Sequence, residues 1–164
     1  MMPLLSARLR YGAAAQIFHW LTAILVVAAY ILSPGGSEQR VYSSAADFNR
    51  QTHETLGTCV FALTLLRLLW RSIDRTPEDP PMKPWMMRSA KIVRVALYGL
   101  LIAIPVAATM GAFLEAHPLT LWAIGNIGPM FSPRHDVGQT VAEIHTTLGN
   151  VILWAAGLHA VAAL

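Results

Sequence analysis

The chain contains six histidines, and four of them lie in or at the ends of long apolar stretches. These four are His19, His53, His145 and His159. An ionisable side chain at membrane depth is costly and is usually retained for a function, so each imidazole is a candidate ligand. Taken singly, an intramembrane histidine is equally well explained by a hydrogen bond between helices. The spacing of the four decides between these uses.

That spacing predicts two sites at different depths. His145 and His159 are fourteen residues apart. At about 100° and about 1.5 Å per residue, this returns to nearly the same helix face about 21 Å further along. His53 opens another apolar stretch at the level of His145, whereas His19 lies at the level of His159. We therefore expect two pairs, His53 with His145 near the outer face and His19 with His159 near the cytoplasmic face.

Two imidazoles on separate helices suit haem iron better than zinc. Structural zinc takes four protein ligands, often thiolates, whereas axial imidazoles complete a haem iron and favour electron transfer over oxygen binding. Cys59 is the only cysteine, which excludes a disulfide framework and a Cys-x-x-Cys-His attachment site. The sequence thus predicts two non-covalent b-type haems. A haem or metal carrier without redox turnover stays open as an alternative.

A short repeated motif accompanies the outer pair. His53-Glu54-Thr55-Leu56-Gly57 and His145-Thr146-Thr147-Leu148-Gly149 share the form His-x-Thr-Leu-Gly. A glycine four residues after a histidine lies on the same helix face, where a missing side chain leaves room for a flat macrocycle. Close approach between helices is the other use of such small residues in membranes.

Four apolar stretches are long enough to hold these histidines in a membrane. A hydrocarbon layer of about 30 Å takes about 20 helical residues, and the stretches lie near 14–32, 54–70, 92–114 and 141–164. These runs are too long and too unalternating for barrel strands, which leaves helices. With 55% hydrophobic and 13% charged residues, the chain is predicted to be one all-α domain over 1–164, a transmembrane four-helix bundle.

The basic residues predict the orientation, because cytoplasmic segments carry more lysine and arginine. The smaller group, which would face outward, is Arg40, Arg50 and Arg134. The larger group consists of Arg8, Arg10, Arg67, Arg71, Arg75, Lys83, Arg88, Lys91 and Arg94. Both termini are then cytoplasmic. The pI of about 9.4 does not indicate nucleic acid, because the basic residues sort by membrane side and form no patch with interleaved aromatics.

The remaining polar residues have less specific explanations. His117 and His135 fall in the outer loop, where we expect solvated side chains. Arg67 and Arg71 end the second span, where they set topology or pair with haem propionates, and both uses are compatible. The segment 119–124 is apolar enough to lie on the membrane surface or to cover the outer haem.

These features together resemble the bacterial cytochrome b561 family, small four-helix di-haem cytochromes of the inner membrane. The resemblance rests on the order and spacing of short segments. These are Phe18-His19-Trp20, His53 with Gly57, Leu66-Arg67-Leu68-Leu69-Trp70-Arg71, Ala96-Leu97-Tyr98 with Pro105, Glu143-Ile144-His145 and Leu158-His159. The resemblance implies that the four histidines are the haem ligands. Members often carry a histidine where this chain has Arg94, so no proton or quinone role is carried over to that position.

The resemblance also implies an activity. One branch of the family oxidises superoxide at the outer surface and passes the electron to ubiquinone, which makes lipid, quinone and superoxide the expected partners. A positive potential would attract superoxide, but the predicted outward segments contain more acidic than basic residues. Arg40, Arg50 or Arg134 would have to form a local positive mouth. The alternative is an electron-transfer subunit for a separate dehydrogenase or hydrogenase.

Overall fold

The computed structural model describes residues 5–7, 10–74, 77–78, 81–122 and 124–162. Two of the basic residues used to predict the orientation, Arg8 and Arg75, lie outside these residues. So does Leu164, which ends the fourth predicted span. Within them, long helices alternate with short loops and one small sheet. The elements are α1 (Ala13–Ile31), α2 (Glu38–Val41), α3 (Asp47–Ile73), α4 (Pro84–Leu114), β1 (Leu119–Leu121), β2 (Gly125–Ile127) and α5 (His135–Ala162).

Three of the long helices begin well before their apolar stretches. α3 begins at Asp47, α4 at Pro84 and α5 at His135, whereas the predicted spans began near 54, 92 and 141. The helices start earlier than the predicted spans because hydropathy marks only the residues suited to hydrocarbon, while helical hydrogen bonding continues into polar sequence. Pro84 stands in the first turn of α4, where its missing N–H leaves no helical bond unmade.

The segment that follows α4 forms a small β-hairpin that the helical prediction did not include. β1 and β2 pair antiparallel, with Leu119 opposite Ile127. At the first residue of β2, Gly125 has a φ of +88°, a left-handed conformation that glycine adopts at little cost. The backbone N–H of Thr120 donates to the Glu54 carboxylate at 2.6 Å, and the ring of Trp122 lies 5.7 Å from that of Phe48. The hairpin is therefore folded back over the start of α3.

The long helices pack as two antiparallel pairs, α1 with α3 and α4 with α5, and α3 contacts α4 less extensively. Two glycines allow the close approach in the second pair. A Cβ on Gly111 would lie 3.3 Å from the backbone nitrogen of Ala142, and one on Gly138 would lie 2.6 Å from Cγ of Glu115. Such contacts between small residues are the usual means of packing helices in lipid. The space between the two pairs stays open.

Three helices, α1, α3 and α4, are long and apolar enough to cross a membrane. Only 11%, 11% and 6% of their most apolar windows are buried inside the protein, so an apolar environment must cover the rest. The chain is thus a mostly helical membrane protein. α5 has 28 residues, but it is not among the three because His145, Asn150 and His159 interrupt its apolar sequence. The fourth crossing stays a prediction.

The two ends of the bundle differ in what lies on them. At the hairpin end, α1 and α4 finish, α3 and α5 begin, and the β-hairpin covers the start of α3. At the opposite end, called the turn end, α3 finishes and α4 begins. There the hydroxyl of Ser6 donates to the Asp74 carboxylate at 2.6 Å and its backbone N–H donates at 2.9 Å, which ties the segment before α1 to the end of α3.

Candidate functional site

The four histidines singled out by spacing lie in two pairs at different levels of the bundle. The ring centroids of His53 and His145 are 5.9 Å apart, with ring planes at 85°. Those of His19 and His159 are 6.4 Å apart, with ring planes at 82°. The first pair joins α3 to α5 at the hairpin end, and the second joins α1 to α5 at the turn end. α5 therefore contributes one imidazole to each pair.

The spacing within each pair leaves room for one metal ion between the rings. An imidazole nitrogen binds a metal at about 2 Å, so two rings on opposite sides of one ion have centroids about 6 Å apart. Among the described residues there is no group of three or more His, Cys, Asp or Glu side chains arranged to hold a metal ion. A zinc centre made of four protein ligands is therefore not favoured. The geometry suits an ion whose other ligands come from a non-protein group, as in haem.

Backbone carbonyls fix which nitrogen of the hairpin-end imidazoles is free. Nδ1–H of His53 donates to the carbonyl of Ala29 at 2.7 Å, and Nδ1–H of His145 donates to the carbonyl of Ile104 at 3.0 Å. A carbonyl only accepts, so the proton must be on Nδ1, which leaves the Nε2 lone pair available to a metal. Such hydrogen bonds orient the ring and are typical of metal-binding histidines.

The acceptor for His53 follows from where α1 ends. Ala29 lies in the last turn of α1, whose carbonyls lack partners within the helix. The N–H of Ser33, which would have followed in a longer helix, donates instead to Tyr30 at 3.2 Å. The carbonyl of Ala29 is thus left for the imidazole. The sequence analysis missed this contact because every residue has a backbone carbonyl, so residue type does not reveal which one accepts. The predicted end of the first span near residue 32 did indicate the turn in which free carbonyls occur.

A cavity of about 1130 Å³ opens between the two helix pairs and is lined by His53 and His145. Gly57 and Gly149, the glycines of the repeated motif, line the same cavity. A Cβ on either would meet no atom within 4 Å. These glycines therefore leave space open and do not bring two helices into contact, while their use in making room for a macrocycle stays a prediction. The volume is slightly above the range of about 300–1,000 Å³ common for small-molecule sites.

Charged side chains line this cavity on the side of the hairpin. Arg50 donates to Asp47 at 2.8 Å and to Glu54 at 3.0 Å. Its Nε is buried and has no hydrogen-bond partner among the described residues. Since two carboxylates neutralise the guanidinium, Arg50 does not form a positive mouth. Arg50 nevertheless lines the cavity, and its Nε–H has no acceptor among the described residues.

His117 is not the solvated loop residue that was expected. Its ring stacks on Tyr42 with centroids 3.4 Å apart, and its Nε2–H donates to the Glu38 carboxylate at 2.8 Å. Burial, together with the charge of Glu54, raises the pKa of Tyr42, so its phenol stays neutral. No sequence pattern predicts a stack between residues so far apart in the chain. His135 is exposed at the start of α5, as predicted.

The turn-end pair has aromatic and basic neighbours. The ring of Trp20 lies 5.3 Å from that of His19, and the Arg67 guanidinium lies 5.4 Å from the centre of the Tyr98 ring. Arg71 does not join the histidines. It lines a second cavity, of about 560 Å³, between α3 and α4. Pairing of Arg67 and Arg71 with haem propionates stays a prediction.

Comparison with known proteins covers nearly the whole chain. A family model described as "Prokaryotic cytochrome b561" matches residues 10–164. The chain is 27% identical over 158 residues to cytochrome b561 homolog 1 of Escherichia coli (strain K12), which covers 94% of this chain and 88% of that protein. It is 28% identical over 158 residues to the probable superoxide oxidase CybB of Yersinia pestis, which covers 94% of this chain and 87% of that protein.

Proposed function

The chain belongs to the prokaryotic cytochrome b561 family, and from this premise we propose that it is a di-haem b cytochrome of the bacterial inner membrane that moves single electrons between the outer face and a quinone. Membership of the family implies haem b and electron transfer. The observation that carries the di-haem proposal is the presence of two imidazole pairs, at centroid distances of 5.9 and 6.4 Å, on one shared helix.

At the hairpin end the side chains fit a haem in several respects. Nε2 of His53 and of His145 would hold the iron, since Nδ1 of each ring donates to a carbonyl. Gly57 and Gly149 leave the adjacent helix faces open to a flat ring. The unpartnered Nε–H of Arg50 is a donor for a propionate. The bound haem would supply one-electron transfer, and two protein imidazoles on its iron would disfavour oxygen binding there.

At the turn end His19 and His159 would hold the second haem. The two levels are separated by the fourteen residues between His145 and His159, which is a rise of about 21 Å along α5. At this separation the two bound groups would be close enough to exchange electrons directly. Arg67 contacts Tyr98 and lies in the last two turns of α3, which supports a role for it near this haem.

We assign α5 as the fourth crossing and place both termini in the cytoplasm. The basic residues support this orientation. Arg67, Arg71, Lys83, Arg88 and Lys91 lie toward the turn end, whereas Arg40, Arg50 and Arg134 lie toward the hairpin end. Cytoplasmic segments near a membrane are richer in arginine and lysine. The hairpin end then faces outward, with the larger cavity on that side.

Superoxide is the proposed electron donor and ubiquinone the proposed acceptor. The support for the donor is the similarity to the probable superoxide oxidase CybB of Yersinia pestis. Each superoxide would lose one electron and leave as dioxygen. Ubiquinone takes up two electrons and two protons to become ubiquinol, so two superoxide ions are consumed for each ubiquinol formed.

A second candidate function follows from the charges around the larger cavity. Four glutamates, Glu38, Glu54, Glu115 and Glu143, line it, and Arg50 is the only arginine or lysine among its described lining residues. A negative potential repels superoxide and attracts a basic protein surface. An electron-transfer subunit that serves a separate dehydrogenase or hydrogenase is therefore the second candidate.

Reconstitution distinguishes the two candidates. The haem-loaded protein is placed in vesicles containing ubiquinone, and superoxide is generated enzymatically outside them. Superoxide oxidase activity predicts formation of ubiquinol that stops when superoxide dismutase is added and that is absent with the His145→Ala variant. If ubiquinol does not form, while a redox protein co-purifies in a fixed ratio and reduces the haems, the superoxide assignment is wrong and the second candidate holds.

A further inference from the structure

The second cavity, of about 560 Å³, lies where α3 ends and α4 begins and is separate from the histidines. Its basic lining residues come from both helices, Arg71 from α3 and Arg88, Lys91 and Arg94 from α4. None of the described residues that line it is acidic. Basic side chains grouped around one cavity give a local positive potential that attracts anions.

The three basic residues of α4 lie on one helix face. Arg88, Lys91 and Arg94 follow one another at intervals of three residues, and side chains at that spacing are neighbours. The face lies near the start of α4 at Pro84, where the helix dipole adds further positive potential. Arg88 and Lys91 are exposed, so a ligand reaches them without any rearrangement of the helices.

The rest of the lining is apolar or aromatic. Leu68 on α3 and Met87, Val95 and Tyr98 on α4 complete the wall. Val95 and its neighbour Ile92 are 64% and 68% exposed, so the apolar surface continues outward from the cavity along α4. A ligand that suits both surfaces has an anionic head and an apolar tail. The cavity also lies at the ends of two helices that are able to span a membrane, which is the level of lipid headgroups.

We propose that this cavity binds the phosphate headgroup of an anionic phospholipid, with the acyl chains lying along the exposed face of α4. Arg88 and Lys91 contact the phosphate, and Tyr98 bounds the apolar side of the site. Basic pockets between membrane helices bind anionic headgroups in this manner. The inference concerns a different part of the molecule from the haem proposal and does not depend on it.

The test uses the haem-loaded protein in vesicles of phosphatidylcholine that contain a minor share of phosphatidylglycerol. After extraction into detergent, the lipid that remains bound is identified by native mass spectrometry. The variant is Arg88→Gln with Lys91→Gln. The control is Arg10→Gln with Lys83→Gln, which removes two exposed charges from the same end of the molecule but outside the cavity.

The expected result is one phosphatidylglycerol retained per chain by the wild type and by the control. Retention by the cavity variant falls by roughly thirtyfold, the factor expected for two basic residues at an anionic headgroup. Equal retention of phosphatidylcholine, or an equal loss in the control, would overturn the proposal. Displacement of the lipid by inorganic phosphate at low concentration would assign the site to free phosphate instead. If the cavity variant fails to fold, the test uses the wild type alone. The proposal then requires phosphatidylglycerol to raise the unfolding midpoint of the wild type more than phosphatidylcholine does.

Discussion

At the scale of single residues, the surroundings of each imidazole separate the proposed ligands from the other histidines. His53 and His145 each donate Nδ1–H to a backbone carbonyl, and their ring centroids are 5.9 Å apart. His117, in contrast, is stacked on Tyr42 and bonded to Glu38, so its ring has a structural contact on its face and at its edge. The residue type alone does not distinguish these roles, whereas the hydrogen-bond partners separate the hairpin-end pair from His117.

Replacing His145 with Ala should remove the haem at the hairpin end and leave the one at the turn end. The reason is that His19 and His159 form a separate pair at the other level of α5. We expect haem content, measured as the pyridine haemochrome per chain, to fall from two to one. His135→Ala, which changes an exposed histidine on the same helix, should keep both. Retention of both haems by the His145 variant would show that the pairing is wrong.

Replacing Gly57 with Leu should lower haem content at the hairpin end without unfolding the protein. A Cβ at this position meets no atom within 4 Å, so the helices tolerate a side chain, but that side chain enters the cavity. Gly99→Leu is the matched control, since Gly99 is equally open and does not line the cavity. Circular dichroism should be unchanged for both variants, with haem lost only from the first. Full haem content in Gly57→Leu would contradict the use proposed for the glycine.

At the scale of helices and strands, periodicity located the histidine pairs but hydropathy misplaced several boundaries. The interval from His145 to His159 fixed two levels on one helix face, and the two ring pairs lie at those levels. The polar starts of α3 and α5 were missed because they carry no apolar pattern. The hairpin was missed because its pairing depends on contacts with Glu54 and Phe48, which lie far away in the sequence. The local pattern of apolar residues predicts the membrane helices, whereas the structure of the loops depends on tertiary contacts.

Packing between α4 and α5 gives a prediction about stability. Gly138→Ala would place a Cβ 2.6 Å from Cγ of Glu115 and 3.2 Å from the backbone of α4, so the helices must move apart. Such overpacking costs about 1–3 kcal/mol. We expect a lower thermal unfolding midpoint in detergent. Gly157→Ala on the same helix, where a Cβ meets nothing within 4 Å, should be neutral or slightly stabilising. Equal midpoints for the two variants would exclude this contact as a determinant of packing.

At the scale of the whole molecule, two helix pairs enclose the space that the proposed haems require. α1 packs on α3 and α4 packs on α5, and each histidine pair bridges from one helix pair to the other. Bound haem would therefore join the two halves of the bundle. The exposed apolar surfaces of α1, α3 and α4 need lipid around them, so cofactor and membrane together complete a structure whose own core is small.

The proposed fourth crossing predicts that both ends of the chain lie on the same side of the membrane. Fusion of green fluorescent protein after Leu164 should fluoresce, and fusion of alkaline phosphatase at the same point should be inactive, since the first needs the cytoplasm and the second needs export. A fusion at Gly36, between α1 and α2, should give the reverse pattern. Active phosphatase at the C-terminal end would mean that α5 does not cross.

The central claim is that one chain holds two haems on four histidines. The most direct measurement is the haem content of the purified protein, obtained from the pyridine haemochrome together with total iron and protein mass, with an optical spectrum before and after reduction. The proposal predicts two b-type haems per chain and a b-type α band on reduction. One haem per chain, or none, would contradict it.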